Sequence, residues 1–230
     1  MTKKQFIDQI SRSAIRMKVG GFRPVDNPLA SWIGKVLVAA PTESWPYSGG
    51  QPMIPLCQIN LTEFAIKPAL VRDLALITLF IDARKLPVDG DDNGTTWCLR
   101  AYKTLEEVAP IIPMNMTSSI KPFQMLPEVV DQDFPQYEDC PVPIPARFEE
   151  AYPTLFPNVD GIKVGGWPTL VQSEIQWNTT HSQTIEPSFA FQIDSVAKAG
   201  WQWGDRGVAY FGRGTTEGKS AEWTVAWQCF

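Results

Sequence analysis

Val164-Gly165-Gly166-Trp167-Pro168, then Trp177, then Ser188-Phe189-Ala190-Phe191-Gln192-Ile193-Asp194 is the stretch that decides the fold, because an earlier part of the chain runs in the same order. There Ile33-Gly34 leads to Trp45-Pro46 and then to Pro55-Leu56-Cys57-Gln58-Ile59-Asn60. Gly166 precedes Gln192 by 26 residues, and Gly34 precedes Gln58 by 24. Each Gln-Ile is followed by an apolar run, Leu76 to Ile81 and Gly207 to Phe211. Each run is followed by a Trp-led strand, Thr96 to Tyr102 and Glu222 to Trp227. Two fused homologous repeats are expected, residues 31–109 and 161–230, within one compact domain. A duplicated β unit predicts a groove between halves but names no reaction.

Outward from the repeats, residues 1–30 form a lead-in. Thr2 with Gln5 reads as a capping box, and Phe6, Ile7, Ile10, Ala14 and Met17 recur at helical spacing. A helix over 3–18, ended by Gly20-Gly21, is predicted. Strands are expected near 35–40, 54–60, 75–82 and 96–103, with a short helix at 62–66 and a helical turn in 104–109. The final strand alternates Trp223, Val225, Trp227 and Cys229 against Glu222, Thr224, Ala226 and Gln228. Residues 110–160 join the repeats, and ten of the chain's twenty prolines fall in 110–157. Pro141-Val142-Pro143-Ile144-Pro145 fits neither a helix nor a central strand. Ile111, Phe123, Met125 and Phe134 make the segment too apolar for a free linker, so it reads as a packed crossover with a short helix near 146–152. The fold class is α+β, mostly antiparallel β, with the N-terminal helix and the crossover outside the sheets. A parallel α/β enzyme is disfavoured, since no strand–helix alternation carries a cofactor fingerprint.

Composition narrows the function classes. The 230 residues are 44% hydrophobic with nine Trp and twelve Phe, enough for a sizeable core. The net charge is −5 and no basic run stands out, which argues against nucleic acid as a partner. The N-terminal segment is amphipathic rather than a signal peptide, and no run approaches a membrane span. Cys57, Cys98 and Cys229 lie in strand-like apolar runs and read as buried free thiols, without zinc or disulfide spacing. A cytoplasmic protein is expected, so the Asn-x-Thr triplets at Asn60, Asn115 and Asn178 carry no meaning.

Gly34, Trp45-Pro46, Gln58-Ile59-Asn60, Lys163 to Pro168, Phe191 to Asp194 and Trp203-Gly204-Asp205-x-Gly207-Val208-Ala209-Tyr210-Phe211 together resemble the YwqG-like family of uncharacterised bacterial proteins. The closing Trp223-x-x-x-Trp227-x-Cys229-Phe230 resembles that family's terminus, and the match runs from about residue 30 onward. Gly34-Lys35 departs from the paired glycines and following proline of the family. The resemblance implies no catalytic residues. It implies a place among polymorphic-toxin genes, as an immunity protein that neutralises a toxin by binding it.

No catalytic, cofactor or metal constellation emerges. The one His, His181, stands in a polar loop with no nucleophile elbow nearby. Asp89-Gly90-Asp91-Asp92-Asn93-Gly94 opens like a calcium loop, yet its twelfth position is Arg100 where a bidentate Glu is needed, so a hairpin turn is expected. Gly204-Asp205-Arg206-Gly207 and Gly212-Arg213-Gly214 lack the phosphate-loop pattern, and Asp205 reads as a turn cap. Gln58 and Gln192 either pin the loop of their own repeat or face one common cleft. Trp167, Trp177, Trp201 and Trp203 exceed what packing needs, so some are candidates for a binding face. Asp131, Asp133, Glu138 and Asp139 belong to an acidic stretch, 128–150, with seven acids against Arg147 alone.

Three functions remain. A protein-binding role, most concretely toxin neutralisation with the acidic stretch filling a basic cleft, stands first. A small-molecule or sugar-binding module using the Trp faces and the two amides is second. A hydrolase with a carboxylate pair distant in sequence is third.

Overall fold

The computed structural model describes residues 1–88, 91–112, 114, 118–177, 187–214 and 223–230. Thr2 caps the first helix, α1 (Lys3–Ile10): its hydroxyl accepts from Gln5 N at 3.2 Å, and Gln5 Oε1 accepts from Thr2 N at 2.8 Å. The helix ends at Ser11, well short of residue 18, and the chain becomes a strand, β1 (Arg12–Val19). Ile15-Arg16-Met17-Lys18-Val19 alternates strictly, and that period of two prevails over the sparser helical spacing of Ala14 and Met17. Buried Ile15 and Met17 face the core, and Arg16 stands in register with Glu128 of the neighbouring strand.

Further along come β2 (Trp32–Ile33), β3 (Val38–Ala39), β4 (Tyr47–Ser48), β5 (Gln51–Pro52), β6 (Ile54–Asn60), β7 (Leu76–Ile81) and β8 (Trp97–Tyr102). The short helix expected at 62–66 is a single 3-10 turn, Leu61–Glu63, and the turn in 104–109 is Leu105–Glu107. After β9 (Ala109–Pro110) the connector does not lie outside the sheet. Its residues form β10 (Phe123–Asp133), which pairs with both β1 and β2. The prolines that argued against a strand cluster later, at 141–145, and one proline inside β10 is accommodated. Met125 N donates to Ser31 O, so Pro127, two residues on, turns its nitrogen the same way, past the end of the β2 ladder at Gln124. Two short helices follow, α2 (Ala146–Glu149) and α3 (Tyr152–Leu155), where one was expected. The remaining strands are β11 (Lys163–Gly165), β12 (Pro187–Asp194), β13 (Val208–Gly214) and β14 (Trp223–Gln228).

Among the described residues, ten strands make one antiparallel sheet in the order β14-β13-β12-β11-β1-β10-β2-β6-β7-β8. Four strands lie on each side of the β1–β10 pair. Gln192 stands between Lys163 and Tyr210, and Gln58 between Trp32 and Thr78, so each Gln occupies the second strand outward from that pair. The sheet curls into a nearly closed, barrel-like form. Trp97 of β8 meets Phe211 of β13 with ring centres 6.2 Å apart, and Trp227 Nε1 donates to Pro87 O at 2.7 Å. One large core, including Ile59, Leu79, Phe191 and Phe211, fills the interior. A second core of Phe6, Ile10, Phe134, Phe148, Tyr152 and Phe156 docks α1 against α2 and α3.

Candidate functional site

The β11–β12 ladder is short: Lys163 pairs with Gln192, Val164 with Phe191, and there it ends. Gly165 and Gly166, at φ +74° and +72°, then swing the chain out of the sheet. Both need glycine for space as well as angle. A Cβ on Gly165 would lie 2.6 Å from Pro68 Cγ, and one on Gly166 would collide with the Asp133 carboxylate. Among the described residues, β12 continues with no strand paired on that side, while Pro187, Ser188 and Phe189 pair with β13. The sheet therefore splits, and the split opens into two hollows.

Asp133 holds the split in place. It is fully buried, accepts from Val159 N at 2.8 Å and Trp167 N at 2.7 Å, and pairs with buried Lys163 at 3.0 Å. Burial pulls the Lys163 ammonium below its ordinary range, against the opposing pull of Asp133. Trp167 Nε1 donates to Ile10 O at 2.6 Å, and the Arg12 guanidinium lies 3.4 Å from the centre of its ring. Gln192, also buried, accepts from Thr169 N at 2.9 Å and donates to Gly161 O and to Asp194 Oδ1.

The first hollow, of about 570 Å³, lies beside Trp167. Leu170, Ile175, Trp177 and Phe189 give it an apolar wall, and Glu138, Asp139 and Glu174 give it three carboxylates. Burial first, then Glu138 and Glu174, push the Asp139 carboxyl above its ordinary range. The second hollow, of about 510 Å³, shares Arg12 and Phe189 with the first and carries Lys67 and Arg72. Among the described residues, no three His, Cys, Asp or Glu side chains are placed to hold a metal ion.

Of the residues singled out in the sequence, Trp167, Trp177, Glu138 and Asp139 converge on the first hollow. Asp131 is exposed on β10. Asp133 is structural rather than a surface charge. Trp203 is buried and packs edge to face on Trp201, their ring centres 5.1 Å apart, so it forms no binding face. Asp205 is exposed in its turn, where its carbonyl accepts from Phe230 N. Gln58 and Gln192 face no common cleft. Gln58 is buried and accepts from Leu37 N at 2.9 Å while donating to Pro28 O at 2.8 Å and Ala30 O at 2.9 Å. Each amide pins its own loop.

The calcium-like loop is a hairpin turn in its described part. Asp91 accepts from Thr96 Oγ1 and Val88 N, and the Asn93 amide bonds both backbone groups of Leu99 on edge strand β8. Asp89, Gly90, Asn115, Asn178, His181 and Glu222 lie outside the described residues. Cys57 and Cys98 are buried and free; Cys229, expected to be buried, is free but half-buried. Sequence reading missed Arg12, assigned to a helix, and Glu174, isolated in a polar loop. Neither carries a motif, and only the fold brings them beside Trp167.

The architecture is that of a curled antiparallel β protein with a split, charge-lined groove and few helices. The family described as a domain of unknown function, DUF1963, matches residues 37–228, and the chain belongs to it. No curated protein matches the chain. Among the described residues no helix is long and apolar enough to cross a membrane.

Proposed function

We propose that this DUF1963 protein is a binding protein whose acidic hollow takes a basic segment of a protein partner. The observation that carries this is the company of Asp139. A half-buried carboxyl, crowded by Glu138 and Glu174 and walled by Trp177, is electrostatically frustrated until a cation arrives. A Lys or Arg side chain supplies that cation together with an apolar stem for the aromatic wall. The sugar-binding reading is weaker, because Arg12 already covers a face of Trp167 at 3.4 Å.

Toxin neutralisation is the most concrete form of this reading. It rests on the resemblance to YwqG-like proteins of bacterial toxin loci and on a cytoplasmic setting. The reading also holds that the halves are fused homologous repeats. The strand order running symmetrically outward from β1 and β10, and the equal stations of Gln58 and Gln192, support that.

The test is coexpression with the product of any neighbouring toxin-like gene, followed by association kinetics. The triple variant Glu138→Lys, Asp139→Lys, Glu174→Lys should slow association at least about tenfold at low salt, while Asp131→Lys, outside the hollow, should change it little. Unchanged association in the triple variant refutes the acidic hollow as the binding site.

A further inference from the structure

The second hollow carries charge of one sign. Arg12, Lys67 and Arg72 border it, and among the described residues no carboxylate does. In a chain of net charge −5, three cations gathered without an acid need a reason. The wall that carries Lys67 and Arg72 is fixed. Its 3-10 turn, Ala69–Val71, packs against β12, and Pro68 sits on Gly165. Arg213 ties the turn down through Leu70 O at 2.7 Å and through Asp73 at 2.6 and 2.9 Å. The Asp133 carboxylate lies behind Gly166, where Lys163, Trp167 N and Val159 N already occupy it.

The donors around the hollow have capacity to spare. Arg12 is held by its face: its guanidinium stacks 3.4 Å from the centre of the Trp167 ring and makes no hydrogen bond or ion pair among the described residues. Stacking fixes the fork and leaves its N–H groups free along the edge. Arg72 is exposed, and its side chain is likewise unpartnered among the described residues. Lys67 Nζ donates to Leu74 O at 2.8 Å, which leaves the rest of its ammonium free. The hydroxyls of Ser13 and Ser188, also on the rim, make no hydrogen bond among the described residues.

We infer that this hollow is an anion site for a small phosphomonoester, with the phosphate between Arg12, Lys67 and Arg72 and the organic part against Pro68, Leu70 and Phe189. A phosphate dianion offers three acceptor oxygens and answers more of the three cations than a single carboxylate does. A volume of about 510 Å³ is that of a small-molecule site. The inference is independent of the acidic hollow, since a basic segment has no counter-charge here.

The probe is phenyl phosphate, with benzoate beside it, titrated into the full chain and followed by amide NMR shifts. Phenyl phosphate should bind at about 1 mM or tighter, and benzoate at least about tenfold more weakly. The shifts should gather at Lys67–Arg72 and Ser188–Ala190. Arg72→Gln and Arg12→Gln should each weaken phenyl phosphate at least about fivefold. The Arg72 side chain holds no other group, so misfolding does not account for a loss in Arg72→Gln. Lys18→Gln, exposed on β1 and outside the hollow, should leave the affinity unchanged. Benzoate binding as tightly as phenyl phosphate overturns the phosphate assignment. Unchanged affinity in both arginine variants overturns the site, and so does the lack of any saturable shift at about 10 mM phenyl phosphate.

Discussion

Lys163 Nζ lies 3.0 Å from Asp133 Oδ2, and neither side chain is accessible to solvent. The pair joins the two strands that flank β1, because Asp133 ends β10 and Lys163 begins β11. It also sets the floor of the split, since the same carboxylate receives Trp167 N and Val159 N.

Removing one partner of a buried pair strands the other charge. Asp133→Ala should cost about 3–5 kcal/mol in urea unfolding. Combining Asp133→Leu with Lys163→Met should recover only part of that, because Trp167 N and Val159 N still lack an acceptor. Wild-type stability in Asp133→Ala would contradict the buried pair.

Gln58 and Gln192 each satisfy several buried backbone groups. Gln58→Ala and Gln192→Ala should each lower stability by about 1–3 kcal/mol, the cost of orphaning those groups. Ligand or partner affinity at fixed folded fraction should stay constant for Gln58→Ala, which lies away from the split. Thermal melts and binding isotherms measured together check both statements.

Asp194 should make stability depend on pH in mild acid. Burial raises its carboxyl from 3.8 to about 6, with hydrogen bonds from Gly161 N and Gln192 and the charge of Lys163 opposing. A raised acid binds its proton more tightly when folded. Its contribution is therefore full below the unfolded value and is lost as pH rises through about 6. Relative to Asp194→Asn, the wild type should weaken between about pH 4 and pH 6 and then run parallel. Urea midpoints of the two proteins across that window measure it; parallel curves throughout would place Asp194 in ordinary solvent.

Arg213 of β13 ties the second half of the sheet to the loop before β7. It is buried and forks onto Asp73 while donating to Leu70 O at 2.7 Å. Lys cannot reproduce the fork, so Arg213→Lys should cost about 1–2 kcal/mol, kept low by the half-exposed Asp73. Chemical denaturation of the variant gives the figure directly.

Much of the strand pattern was legible in particular residues. Ile54 to Asn60, Leu76 to Ile81 and Trp97 to Tyr102 form strands within a residue or two of where period and apolarity put them. The capping box of Thr2 and Gln5 formed as read. The extent of α1 and the place of residues 123–133 were not legible. Ala14 and Met17 stand at helical spacing while Ile15, Met17 and Val19 alternate, so the segment carries both periods, and β10 is half polar because only part of it faces the core.

The sequence by itself determined most of the apolar strands, the Thr2–Gln5 capping box and an apolar content large enough for a core, because propensity, alternation and turn chemistry act within a few residues. It also put Trp167, Trp177, Glu138 and Asp139 forward as candidates, without saying that they meet. The tertiary structure alone decided that Asp133 is a buried counter-charge to Lys163, that Trp203 is core, and that Arg12 and Glu174 border one hollow. Those outcomes depend on strand order and register, which bring together residues such as Arg12 and Trp167 from distant parts of the chain. Burial then fixes the sign of each charge's effect, and burial is a property of the assembled sheet, not of any single stretch.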